Sequence, residues 1–337
     1  MAQFRNLVFE GGGVKGIAYG GALKALDDRN ILPEVRRVAG TSAGAITAAL
    51  LAIGCRSDEV ADIISSTSFL KFMDDSFGVI RDANRLINEF GWYKGAVFAD
   101  WMKKLLYTFS NSTNLTFAEL HERAQKNPER YKDLFVIGTN LSMQMSTVYS
   151  FEETPDTPIW QAVRISMSIP LFFAAVLAEE SIHVDGGVTW NYPIDLFDDR
   201  KYLEPDSNAF SIPKYTRYNE EHVYNKETLG FRLATKDEIG AEKNSWRRPP
   251  VAIDSISDYI RVFLGFVLDM ANNVHLHKND WHRTIFVDTE GVRTTDFDIK
   301  QADIDMLLRN GRKGVDEYFA WFNDPSTIEV PLNRITD

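Results

Sequence analysis

An α/β fold built on a mostly parallel sheet is expected from three features of this 337-residue chain. The N-terminal region alternates short apolar runs with Ala- and Leu-rich helical stretches, in the order strand, glycine turn, helix, strand, tight turn, helix. That order implies crossovers that lay parallel strands side by side and cover both faces of the sheet. Both glycine-rich turns follow a strand, at the sheet edge where α/β proteins place ligands. The composition, 44% apolar and 25% charged, is that of a globular chain long enough to bury a large core.

Taken in order, Arg5 to Glu10 is a short buried strand and Lys15 to Arg29 a helix rich in small residues. Val35 to Ala39 is the second strand. Ser42 to Ile53 is a helix so full of Ala, Ile and Leu that it must be buried. Residues 57–126 form a mostly helical insertion, with Ser57 as a cap and apolar stripes in Phe69 to Met73 and Trp101 to Tyr107. Leu134 to Gly138, Thr147 to Phe151 and Ile182 to Val184 are further strands. Residues 200–250, polar and rich in Pro and Asn, are expected to be loop. Ile253 to Leu276 is a helix with a broad apolar face, Thr284 to Val287 a late strand and Gln301 to Phe322 a closing helix. The expectation is a single catalytic domain over 1–337, with its core at about 5–300 and a C-terminal helical extension at 300–337.

The net charge of −11 argues against nucleic acid as a partner, because phosphate contacts need clustered Lys and Arg. The single cysteine, Cys55, precludes an internal disulfide and fits a reducing compartment. Residues 1–6 lack the pattern of a signal peptide, and no apolar run approaches a membrane span. The expected location is the cytoplasm, with export by a route needing no cleaved signal left open.

The stretch Phe9-Glu10-Gly11-Gly12-Gly13-Val14-Lys15-Gly16 contains G-x-G-x-x-G, the spacing of a dinucleotide loop. A dinucleotide site also needs an acid at the end of the second strand to hold the ribose. Here Arg36-Arg37-Val38-Ala39 runs into Gly40-Thr41-Ser42-Ala43-Gly44 instead. That pentapeptide is G-x-S-x-G between a strand and a helix, the context of a nucleophile elbow. Gly40 and Gly44 leave room for a sharp turn that holds the Ser42 hydroxyl at the rim of the sheet. The plain alternative is an ordinary N-cap serine. The two glycine motifs support each other, since the amides of Gly11, Gly12, Gly13 and Val14 would face Ser42 and receive the oxyanion of acyl transfer. One such donor typically contributes about 2.7–4 kcal/mol to the transition state. Lys15 either adds positive charge beside that hole or near a lipid phosphate, or simply faces water.

A serine nucleophile usually has a histidine base. None of His121, His183, His222, His275, His277 and His282 has a persuasive setting for that role, and the loose spacing of the last three does not make a metal site. Asp185 ends the strand Ile182-His183-Val184, and Gly186-Gly187 after it would let the loop approach the Ser42 turn. A carboxylate accepts the serine proton if it lies within roughly 2.6–3.2 Å of the hydroxyl, and an apolar pocket that raises its pKa offsets its weak basicity. Taken alone, Asp-Gly-Gly reads as a strand-end turn.

With GGGVKG, GTSAG and DGG in this order, the sequence resembles the patatin-like phospholipases, bacterial members especially. Gly91-Trp92-Tyr93-Lys94-Gly95, Arg164-Ile165-Ser166-Met167-Ser168-Ile169-Pro170 and Thr228-Leu229-Gly230 extend the likeness over about residues 5–300. The resemblance implies a three-layer α/β/α sandwich and a Ser42–Asp185 dyad without histidine, metal or cofactor. Gly11, Gly12, Gly13 and Val14 would supply the oxyanion amides. It also implies hydrolysis of fatty acyl esters of phospholipids or lysophospholipids through an acyl-enzyme. An acyltransferase using the same acyl-enzyme is the alternative, and a non-catalytic nucleotide-binding module a remoter one. Phe172 and Phe173, with residues in Phe69 to Phe77, are candidates to line an acyl pocket. Lys243, Trp246, Arg247 and Arg248 read first as a solvated loop and second as a peripheral membrane contact. The oligomeric state is left open.

Overall fold

The computed structural model describes residues 4–72, 90–203, 212–213, 223–236, 279–328 and 330–334, with isolated positions between 252 and 266. Strands β1 (Asn6–Phe9), β2 (Arg37–Thr41), β4 (Asp133–Asn140), β11 (Thr228–Ala234) and β12 (Thr284–Asp288) form the parallel part of one sheet, in the order β12-β11-β1-β2-β4. Strands β5 (Met145–Tyr149), β8 (Ser181–Asp185) and β7 (Val176–Ala178) add an antiparallel flank. Two small ribbons stand apart: β3 (Gly91–Tyr93) with β6 (Leu171–Phe173), and β9 (Ile212–Pro213) with β10 (Val223–Tyr224).

The strands are nearly continuous apolar runs because both faces are buried. Leu7, Phe9, Val38, Leu134 and Val136 point to one face. Helices α1 (Ala18–Asp27), α2 (Ala43–Ala52), α3 (Ser57–Ser66), α6 (Ile159–Ser166) and α8 (Gln301–Asn323) contribute to the large core on that side. Val8, Ala39 and Phe135 point to the other face, under Tyr192, Ile194, Phe197 and Tyr202. The short helix α7 (Gly187–Trp190) and the segment after it thus form the second covering layer among the described residues. The insertion supplies α4 (Ala96–Ser110) and α5 (Phe117–Lys126).

Helix α8 joins the core. A side chain at Gly21 of α1 would strike the Leu308 carbonyl, and one at Gly311 the Ala18 carbonyl, so the two backbones cross in direct contact.

Several expectations are corrected. Residues 200–250 contain β11, a fully buried strand between β1 and β12. Its seven residues, TLGFRLA, carry too little alternation to be read as a strand, because neither face meets water. The first helix opens with a 3-10 turn over Gly13–Ile17. The cap of α3 is Arg56, whose amide donates to Glu59 Oε2 at 2.8 Å, while Ser57 Oγ donates to Asp27 Oδ2 at 2.6 Å. Phe77, the cluster from Lys243 to Arg248, most of the helix expected over 253–276, and His222, His275 and His277 lie outside the described residues. Among the described residues no helix is long and apolar enough to cross a membrane.

Candidate active site

The register of β4 brings Ser42 and Asp185 together. Along one edge of β4, Ile137 pairs with Thr41, the last residue of β2. The next position, Gly138, pairs with Asp185, the last residue of β8. Both strands lie on the edge of β4 opposite β5, since Ile137 and Gly138 also pair with Val148 and Thr147. Strands β2 and β8 therefore run toward each other along one side of β4 and end face to face. Ser42 and Asp185, 143 positions apart in sequence, occupy that junction, and both are almost wholly buried (4% and 2% exposed).

Ser42 has φ +53° and ψ −124°, a left-handed conformation that non-glycine residues adopt at a cost of order 1–3 kcal/mol. Its side chain caps nothing, so the N-cap reading falls. Neighbouring bonds hold the strain. The Ser42 amide donates to Ser166 Oγ at 2.8 Å, and Ser166 Oγ donates to the Ile137 carbonyl at 2.6 Å. A side chain at Gly44 would strike the Phe9 carbonyl, and one at Gly40 the backbone of Gly44. The elbow is therefore packed backbone on backbone against the end of β1.

Asp185 is fixed from three sides. Its amide donates to the Ser168 carbonyl at 2.9 Å, its carbonyl accepts from Thr139 Oγ1 at 2.9 Å, and Oδ1 accepts the Gly187 amide at 2.7 Å. A side chain at Gly186 would collide with the Ile137 carbonyl, so the turn sits flat on β4. Oδ2 is buried and has no hydrogen-bond partner among the described residues. Burial raises the Asp185 pKa from 3.8 to about 7, against the lowering pull of the Gly187 amide and the nearby Ser42 hydroxyl. That hydroxyl nonetheless points at Met167 Sδ, 3.6 Å away, a weak acceptor, and does not complete a bond to the carboxylate.

The glycine loop packs directly on the elbow. A Cβ at Gly11 would lie 3.1 Å from Ser42 Cβ, and one at Gly16 2.8 Å from Ala43 Cβ. Of the four amides expected to face the serine, two are engaged elsewhere. Gly11 donates to the Asn191 carbonyl at 3.0 Å and Val14 to the Thr294 carbonyl at 3.2 Å. The amides of Gly12 and Gly13 have no acceptor among the described residues. Gly13 has φ +54° beside the Thr294 carbonyl, where a side chain would be both strained and blocked. Lys15 is half-buried, and its ammonium makes no ion pair among the described residues.

The segment from Arg164 to Ser168 holds the site from behind. Arg164 is buried, bonds Ser168 Oγ through Nη1, and donates from Nη2 to the carbonyls of Lys94 (2.6 Å) and Ala174 (3.1 Å). Gly95, at φ +69°, lies against that guanidinium with no space for a side chain. The two motifs Gly91 to Gly95 and Arg164 to Pro170 are thus one contact, and Ser166, Met167 and Ser168 reach the two candidate catalytic residues. The family pattern was the one signal in the sequence for these roles. Phe173 is buried under the Arg164 guanidinium, 5.8 Å from its ring centre, and belongs to the core. Phe172 is partly exposed, 5.8 Å from Phe297 and 6.3 Å from Tyr93, ring centre to ring centre. His183 is packed, with Nδ1 2.9 Å from Tyr149 Oη and its pKa lowered by burial, and takes no part in the junction.

A mostly parallel sheet thus brings a serine on a sharp strand-to-helix turn, a buried carboxylate and a glycine loop together at one rim. The sequence profile of the patatin-like phospholipases matches residues 7–198, and the chain belongs to that family. It is 34% identical over 199 residues to uncharacterized protein R571 of Acanthamoeba polyphaga mimivirus, covering 59% of this chain and 63% of the relative. It is 26% identical over 315 residues to protein YqhO of Bacillus subtilis, covering 91% and 94%. A third relative, the probable lipid hydrolase 463L of invertebrate iridescent virus 6, is 25% identical over 193 residues, covering 57% and 63%. The matched segment thus spans less than two thirds of both viral proteins. Among solved structures, VipD from Legionella pneumophila superposes with a TM-score of 0.57 at 19% identity, over 94% of this chain and 67% of VipD, a likeness of fold.

Proposed function

We propose that the chain hydrolyses fatty acyl esters of phospholipids or lysophospholipids, with Ser42 as nucleophile and Asp185 as general base. The observation that carries this reading is the head-to-head junction of β2 and β8, which sets a strained serine beside a carboxylate with an unpartnered oxygen. Family membership supports an ester-cleaving lipid hydrolase, and the description of a relative as a probable lipid hydrolase agrees with it.

The chemistry follows from the geometry. The Ser42 hydroxyl turns from Met167 to Asp185 Oδ2, which takes its proton as Oγ bonds to the acyl carbonyl carbon. The carbonyl oxygen gains the negative charge and is received by the Gly12 and Gly13 amides, the pair with no other acceptor among the described residues. The C–O bond to the lysolipid or alcohol breaks, and that oxygen takes the proton back from Asp185. Water then attacks the acyl-Ser42 carbonyl while Asp185 removes its proton. The fatty acid leaves, and the proton returns to Ser42 Oγ. A pKa near 7 suits Asp185 to both halves of this cycle, because it accepts and returns protons close to neutral pH.

The test is a panel of phospholipids and lysophospholipids offered to wild type and Ser42→Ala, with fatty acid release measured, together with labelling by a serine-directed fluorophosphonate. Release that depends on Ser42, and label on Ser42 alone, are expected. Label on another residue overturns the assignment. Acyl transfer to an added alcohol in excess of fatty acid release would make the protein a transferase.

A further inference from the structure

The flank of the sheet beside the candidate site carries an exposed apolar surface. Strand β8 runs inward to Asp185, so its first residues lie past the rim where β2 stops. The Leu141 amide bonds the Ile182 carbonyl at 2.8 Å, and Ile182 pairs with Leu177. Leu141, Ile182 and Leu177 therefore form one cross-strand row, with their side chains on one face. Leu177 is 70% exposed and Leu141 49%. At the tip of the adjoining β4–β5 hairpin Met143 is 64% exposed, whereas Met145, opposite Asn140 and His183 in the register, lies on the other face of the sheet. Ile182 lies three residues, about 10 Å, from Asp185 along the strand. Scattered apolar residues on a surface are ordinary, but a cross-strand row of exposed leucines beside an exposed methionine at a hairpin tip marks a contact surface.

We propose that this flank, the β4–β5 and β7–β8 hairpin tips with the row between them, is the surface by which the protein seats on a zwitterionic lipid interface to load its substrate. The proposal rests on the lipid-ester reading of the Ser42–Asp185 junction. Charge decides the kind of interface. Residues 141–147 and 176–182 contain no Lys or Arg, and Glu179 and Glu180 stand at the β7–β8 turn. These carboxylates oppose an anionic bilayer, as does the net charge of −11, and they match the outward ammonium of a choline headgroup. Apolar insertion thus drives binding, on a strand that ends at Asp185 about 10 Å away.

The full chain carrying Ser42→Ala is floated with vesicles of phosphatidylcholine alone and with vesicles containing phosphatidylserine. Binding to the first, weakened at least several-fold by the anionic lipid, is expected. Leu177→Glu and Met143→Glu, in otherwise wild-type protein, should lower hydrolysis of vesicle-borne phospholipid at least tenfold. Their cleavage of a soluble short-chain ester should stay within about twofold of wild type, and circular dichroism would confirm folding. Equal binding to both vesicle types, equal loss on both substrates in folded variants, or a dimer in light scattering that Leu177→Glu dissociates would overturn the proposal. Absence of Ser42-dependent cleavage of the soluble ester would instead overturn the underlying assignment of activity.

Discussion

Replacing Asp185 by Asn should make the protein more stable as well as inactive, and more so as pH rises. The carboxyl is fully buried, and its pKa moves from 3.8 to about 7 because the interior disfavours the charge. Below about pH 4 the acid is neutral in both folded and unfolded chains. Between about pH 4 and 7 the unfolded chain releases its proton while the folded one keeps it, so folding binds a proton and stability falls as pH rises. Above about 7 both are ionised, and the folded state carries the whole cost of a buried charge. Moving the acid from 3.8 to about 7 corresponds to about 4 kcal/mol. Asparagine preserves the acceptor for the Gly187 amide, places its NH2 toward the Ser42 oxygen and cannot ionise. Its advantage over wild type should therefore grow by about 2 kcal/mol between about pH 5.5 and pH 8.5. Urea unfolding followed by fluorescence at the two pH values measures it. An advantage that does not change with pH would refute the idea that Asp185 is held as a high-pKa acid by burial, and with it the account of its basicity.

Three further outcomes are expected. For wild type on a soluble ester, kcat/KM should rise with pH through about 7 and level off above it, as Asp185 loses its proton; a profile flat from about pH 5 to 9 would speak against Asp185 as base. Ser166→Ala should leave the buried Ser42 amide without an acceptor, costing about 1–3 kcal/mol of stability, and should lower kcat more than it raises KM, because the elbow loses its tether; unchanged kinetics would show that the elbow holds itself. Gly44→Val should force a side chain into the Phe9 and Glu10 carbonyls, costing at least about 1–3 kcal/mol and abolishing labelling of Ser42, whereas substitutions at Gly291, which has open space around it but φ +85°, should cost stability alone; a fully labelled Gly44→Val would contradict the packing of the elbow.

Local chemistry made part of this protein legible in one dimension. Gly40 and Gly44 two positions either side of Ser42, the triplet Gly11 to Gly13, and Asp185 before two glycines all mark places where the backbone must turn sharply or approach closely. Such demands are written in residue type. The alternation of strands and helices over the first 53 residues was equally readable, since crossover helices and buried strands differ in period. Tertiary structure decided what depends on neighbours remote in sequence. Strand β11 has no pattern of its own because both its faces are buried by segments far from it. The Gly11 and Val14 amides are taken by carbonyls of Asn191 and Thr294, which leaves Gly12 and Gly13 as the pair without an acceptor among the described residues. The junction of Ser42 with Asp185 exists because β4 pairs with β2 and then, one residue on, with β8. Residue type can specify a turn, but a register between strands is a property of the folded sheet.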